Sequence, residues 1–173
     1  EYAPIGTTEW SAIIDRIKKA SPDILNVYVP GNDFVVFMKQ FFDYGLGGSI
    51  KVVSHMVNEL TAPAFEPAYR SGILTANSYL MAVDTDENRN FLDRYFNKVG
   101  ENSVIDFEGE ATYNSIMLWA NAVVKAGSVD GEKVVEAMKG ISFNAPQGKV
   151  TIDPETQHSF LNMYLAECQA DGS

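Results

Sequence analysis

The sequence predicts an α/β fold, a doubly wound and mainly parallel sheet. Two observations carry this. Short β-branched runs, "ILNVYV" and "IKVVS", alternate with amphipathic helical stretches through the first half of the chain. The connections between them are short, as in βαβ units. A chain of 173 residues, 46% hydrophobic and 21% charged, is also long and apolar enough to bury a core.

The elements follow in order. Glu1 to Ile5 alternate weakly, which suits a short edge strand, and Thr8 is placed to cap a helix. Trp10, Ile13, Ile14 and Ile17 then recur at helical spacing, with Lys18 and Lys19 at the end where the helix dipole favours cations. "SPD" ends this helix. Ile24 to Val29, bounded by Pro22 and Pro30, reads as a buried strand. A second helix starts near Asn32 or Asp33, presents Phe34, Phe37, Met38, Phe41 and Phe42 on one face, and closes at Gly45. Ile50 to Ser54 forms the next strand, followed by a short helical stretch around Asn58 to Ala64. Gly72 to Val83 reads as a third strand.

The middle of the chain is helical. "DTDENRNFLDRYFNKVG" carries Asp and Thr caps and an apolar face of Phe91, Leu92, Tyr95 and Phe96. A longer helix spans about Gly109 to Ala126, and a third lies in "SVDGEKVVEAMKG". "GKVTID" and "FLNMYLAEC" are strand candidates near the end. Neither an internal repeat nor a low-complexity linker interrupts this order.

Composition excludes several functions. The net charge of −10 argues against nucleic acid and anionic membrane surfaces as partners, since both select Lys/Arg patches. No run of 18 apolar residues exists, so no membrane-spanning helix is expected. The opening "EYAPIGTTEW" reads as the interior of a longer protein, so the missing signal sequence says nothing about compartment. The single cysteine, Cys168, is expected to be a buried structural thiol.

Catalytic chemistry finds little support. The two histidines, His55 and His158, are far apart and lack a metal-ligand partner at i+3 or i+4, so no metal and no cofactor is expected. A G-x-S-x-G elbow is absent. "GLGGS" follows a helix and precedes a strand, the reverse of a phosphate-binding loop. Asp84 and Asp86 lie at a helix start, where capping accounts for them. An enzyme is therefore not expected.

What remains are the carboxyl ends of the parallel strands, where open α/β sheets bind ligands. They offer Gly31, Asn32, Ser54, His55, Asn58 and Tyr79, neutral hydrogen-bonding groups with an aromatic, which suits a small polar solute. Each also has a local role available: a cap for Asn32, a loop contact for His55, core packing for Tyr79.

"EYAPIGTTEWSAIIDRIKKASPDIL" resembles a segment of type I periplasmic solute-binding proteins of the Leu/Ile/Val-binding group. "AVDTDENRNFLDRYFNKVG", "EATYNSIMLWANAVVKAGS" and "FNAPQGKVTIDPETQHS" are similar to the branch that binds urea and short-chain amides. The resemblance covers the chain in order and corresponds to the C-terminal half of such a protein. It implies two α/β lobes that close on a solute, and an ABC-transporter permease as membrane partner. The protein would then be periplasmic or at the cell surface. Residues 1–83 would belong to the second lobe, 84–140 would be a helical segment packing with the first, and 141–173 would return as late strands to the lobes and hinge. Pro146, Gly148, Pro154 and His158 would be structural. The chain departs from urea receptors at "SHMVNEL", where His55 and Met56 alter the cleft wall, so the solute need not be urea. A ligand-sensing domain of a regulator or sensor kinase, with the same fold and a protein partner, is the alternative.

Overall fold

The computed structural model describes residues 1–171. In chain order its elements are α1 (Ser11–Ala20), β1 (Ile24–Asn26), α2 (Asn32–Asp43), β2 (Lys51–Val53), a 3-10 turn (Ala62–Ala64), α3 (Pro67–Arg70), β3 (Leu74–Asn77), α4 (Asp86–Val99), α5 (Phe107–Ala126), α6 (Gly131–Met138), β4 (Ser142–Ala145), β5 (Gly148–Ile152), β6 (Ser159–Phe160) and β7 (Tyr164–Glu167). They form two compact units: Glu1–Ala76 with the chain from Leu165 onward, and Asn77–Tyr164. The sequence reading set its boundaries at Val83 and Gly140, in terms of the lobes of a longer protein.

The first unit holds a four-stranded sheet, in the order β1-β2-β3-β7. β1 pairs parallel with β2, Ile24 to Lys51 through Asn26 to Val53, and β2 pairs parallel with β3 at Val53 and Leu74. The expected neighbours are therefore neighbours, with β1 at one edge. Trp10 and Ile14 on one side of the helical pattern, and Phe34, Phe37, Met38 and Phe41 on α2, bury against Ile50, Val52, Val57, Phe65, Ile73 and Cys168. The periodicity read in α1 and α2 is the face that enters this core.

Several local expectations are corrected. Glu1 to Ile5 is not a strand: Pro4 has no N–H for a ladder, and its carbonyl accepts both the Thr7 N–H (3.2 Å) and the Thr7 hydroxyl (2.6 Å), which turns the chain. Thr8 does not cap α1, whose N-cap position is Trp10. Gln40 of α2 supplies the missing partners instead, accepting from Trp10 N–H (2.8 Å) and donating to the Thr8 carbonyl (2.8 Å). The third strand is shorter than Gly72 to Val83. Around Asn58 the chain forms an Asx turn, in which Asn58 Oδ1 accepts from the backbone N–H of Leu60 and Thr61, leaving only a 3-10 turn before α3.

In the second unit, α4, α5 and α6 begin at side-chain caps: Thr85, Asp106 and Asp130 accept from Asn88, Gly109 and Lys133 N–H. α5 and α6 pack together. β4, not anticipated as a strand, forms an antiparallel hairpin with β5, and β6 adds to β5. Leu118 packs with Ala145, Val150 and Ile152. "FNAPQGKVTIDPETQHS" is thus the hairpin, its Pro146–Gln147 turn, and the turn into β6. Gly148 has φ +109°, and a Cβ there would lie 2.6 Å from Asn162 Nδ2, so glycine is required both by conformation and by space.

Candidate functional site

In the first unit the carboxyl ends of β1 and β2 lie side by side, because these strands are parallel and in register. The loop after β1 runs from Val27, whose N–H donates to the Val53 carbonyl (2.9 Å), to Gly31. Gly31 is the N-cap of α2 with φ +61° and ψ −141°, which L side chains rarely adopt; a glycine here lets the chain enter the helix directly from the loop. Asn32 is the first residue of the helix and exposed, and its side chain does not serve as the cap. The next acid, Asp33, accepts from Gly6 N–H at 2.7 Å.

The loop after β2 is tightly organised. Ser54 is fully buried; its N–H donates to the Leu74 carbonyl (2.8 Å) and its hydroxyl oxygen accepts from Met56 N–H (3.2 Å). The Met56 carbonyl accepts from the Thr61 hydroxyl (2.8 Å). These bonds fold 54–61 into a compact turn that leaves His55 and Met56 half-buried.

The two loops meet through their side chains. The rings of Tyr28 and His55 stack with centroids 4.4 Å apart at 30°. Tyr28 is 69% exposed, an open aromatic surface on the loop after β1. Sequence reading placed Tyr28 inside a buried strand. The signal that would have found it is the strand period, which puts Ile24, Asn26 and Tyr28 on one face, and that face is exposed.

Of the residues selected from the sequence, Gly31, Asn32, Ser54, His55 and Met56 therefore lie on adjoining loops of the first unit. Tyr79 belongs to the second unit. Its ring is fully enclosed, packs edge-on to Phe91, and its hydroxyl donates to Asn88 Oδ1 at 2.9 Å. Asn58 is occupied as the Asx-turn residue. Among the described residues, no group of three or more His, Cys, Asp and Glu side chains is placed to hold a metal ion.

The second unit has its own buried polar centre, which sequence reading missed. Glu110 of α5 is fully buried. Its carboxyl accepts from Asn114 Nδ2 (2.8 Å), Gln147 N–H (3.4 Å) and Gln147 Nε2 (3.2 Å). Burial pushes its pKa up, and the three donors hold that rise back. The Gln147 carbonyl in turn accepts from Tyr164 OH (2.7 Å) and Asn162 Nδ2 (3.0 Å), while Thr85 OH donates to the Pro146 carbonyl (2.8 Å). The Pro146–Gln147 turn is thus held by α5, by the start of α4 and by the chain leading into β7. Cys168 is buried in the first unit, and burial raises its thiol pKa, which makes it a poor nucleophile.

A family model described as "Periplasmic binding protein domain" matches residues 1–173. A Leu/Ile/Val-binding protein homolog 6 of Brucella melitensis is 31% identical over 169 residues, 95% of this chain and 43% of that protein. Among solved structures, a solute-binding protein of an ABC transporter from Rhodopseudomonas palustris, in complex with p-hydroxybenzoic acid, is 31% identical with a TM-score of 0.86. The match covers 96% of this chain and 46% of that one. A second from R. palustris, in complex with 4-hydroxybenzoate, is 28% identical with a TM-score of 0.84, covering 98% and 47%. The chain spans less than half the length of each of these relatives.

Proposed function

The chain belongs to the periplasmic binding protein domain family, and from that premise we propose that it is part of the solute-binding component of an ABC-type importer. The observation that carries this reading is the pair of adjoining loops at the carboxyl ends of β1 and β2. They bring Gly31, Asn32, Ser54, His55 and Met56 to one edge of a parallel sheet, where α/β proteins take small ligands. The first unit acts as one lobe, and a second lobe closes over the solute. Closure follows from differential affinity: a solute that contacts both lobes stabilises the closed state, and a membrane permease reads that state. The complete protein then works in the periplasm or at the cell surface, without chemistry of its own.

The solute is small and offers a carboxylate or amide oxygen to the N–H groups of the loops and of the first turn of α2. Urea and short amides are candidates from the sequence likeness. Hydroxybenzoates and branched amino acids are candidates from what the relatives are named for or hold. The test is a thermal-shift panel on the complete protein with urea, acetamide, leucine and 4-hydroxybenzoate. At a hundredfold excess over Kd, a bound solute stabilises the folded protein by about 2.7 kcal/mol. Asn32→Ala should weaken the solute that binds by about 5- to 150-fold, the cost of a partner left unsatisfied in a closed site. A panel with no stabilising solute contradicts the assignment.

A further inference from the structure

We propose that Tyr28 and His55 form a stacking platform that makes the solute of this site a planar aromatic carboxylate; this rests on the reading that the two loops bind solute. Scattered exposed aromatics need no explanation. This pair differs in three ways. The rings come from loops after two neighbouring strands and are already stacked at 4.4 Å. Tyr28 remains 69% exposed although one of its faces is against His55, so its other face and edge are open. Among the described residues, no hydrogen bond engages the Tyr28 hydroxyl or the His55 ring nitrogens.

The physical consequences point to one ligand class. A pre-stacked pair loses little side-chain freedom when a third ring is added, so it binds a flat π-surface at low entropic cost. An aliphatic solute gains contact area from it but not the electrostatic part of ring stacking. The free polar edges are the phenol O–H and an imidazole N–H, both donors, and a carboxylate presents two oxygens in the plane of the ring to receive them. A short amide or urea has the plane but covers little of the platform.

The test uses the complete protein and two carboxylates of nearly equal size, benzoate and cyclohexanecarboxylate, with leucine and urea as further arms in titration calorimetry. Benzoate should bind about 2- to 10-fold tighter than cyclohexanecarboxylate, the increment expected of an aromatic pair beyond its buried area. Tyr28→Leu should bring that ratio to about 1 and Tyr28→Phe should keep it. A stack that merely clamps the loops would weaken both carboxylates equally in Tyr28→Leu, and that result overturns the proposal, as does equal binding of the two by the unaltered protein. Binding of leucine or urea without benzoate overturns the aromatic assignment and leaves the solute-binding reading standing. Binding of none of the four counts against both.

Discussion

Replacing Glu110 with Gln or Ala tests how the second unit is held together. Three donors converge on this carboxyl: Asn114 Nδ2, Gln147 N–H and Gln147 Nε2. In Glu110→Ala all three lose their acceptor inside a closed environment. A buried unsatisfied donor costs about 1–3 kcal/mol, so the three together bound the loss at about 3–9 kcal/mol. Two of them sit on amide side chains that can turn, so about 3 kcal/mol is the expected value. Glu110→Gln keeps the shape and one acceptor, and its new N–H₂ faces a neighbourhood where Asn114 Oδ1 and Gln147 Oε1 have no partner. The difference between the natural protein and Glu110→Gln should depend on pH. The folded-state pKa of Glu110 is raised above its reference value of 4.5, so the folded protein binds the proton more strongly than the unfolded chain. Stability from this group is fully present below the unfolded pKa and is lost as pH rises through the folded one. Relative to Glu110→Gln, the natural protein should therefore lose stability upward from about pH 4.5. Urea unfolding of the complete protein at several pH values measures this, with hydrogen exchange on α5 and the β4–β5 hairpin to localise it. A difference that is flat with pH, or that grows in favour of the natural protein as pH rises, refutes the reasoning.

Other substitutions give simpler outcomes. Gly148→Ala should destabilise by at least about 1 kcal/mol in a thermal melt, because both φ +109° and Asn162 oppose a Cβ. Gln40→Ala should cost about 0.5–2 kcal/mol by uncapping α1, and exchange should speed up at the start of that helix. His158→Ala should leave solute affinity unchanged and stability within about 0.5 kcal/mol, since the residue is exposed and its hydrogen bonds to Asp153 and Thr156 run through its backbone.

Much of the fold is legible because it rests on periodicity. The apolar spacing of α1 and α2 names the residues that enter the first core, and the β-branched runs name β1 and β2. What is not legible depends on partners distant in sequence. The start of α1 is set by Gln40, thirty residues away, and no local pattern at Thr8 reveals it. β4 is a strand because Gly148 and β5 turn back upon it, whereas "SFNA" alone has little strand character. The candidate site shows the same divide. Gly31 and Ser54 could be picked out from their places at strand ends. The stacking of Tyr28 on His55 depends on β1 and β2 being in parallel register, and the burial of Glu110 depends on a turn 37 residues further on.

β1 lies at the edge of its sheet with Ile24 uncovered, which has a bearing on handling the protein. An open strand edge bearing apolar side chains is a template on which a second chain can add. Here the template is only three residues long, and Pro22 and Pro30 bracket it, each lacking the N–H that a growing ladder would use. With a net charge of −10 on every copy, two such edges also repel as they approach. Exchanging both prolines for β-formers would lengthen the sticky edge and favour aggregation, most of all at high salt, where the repulsion is screened.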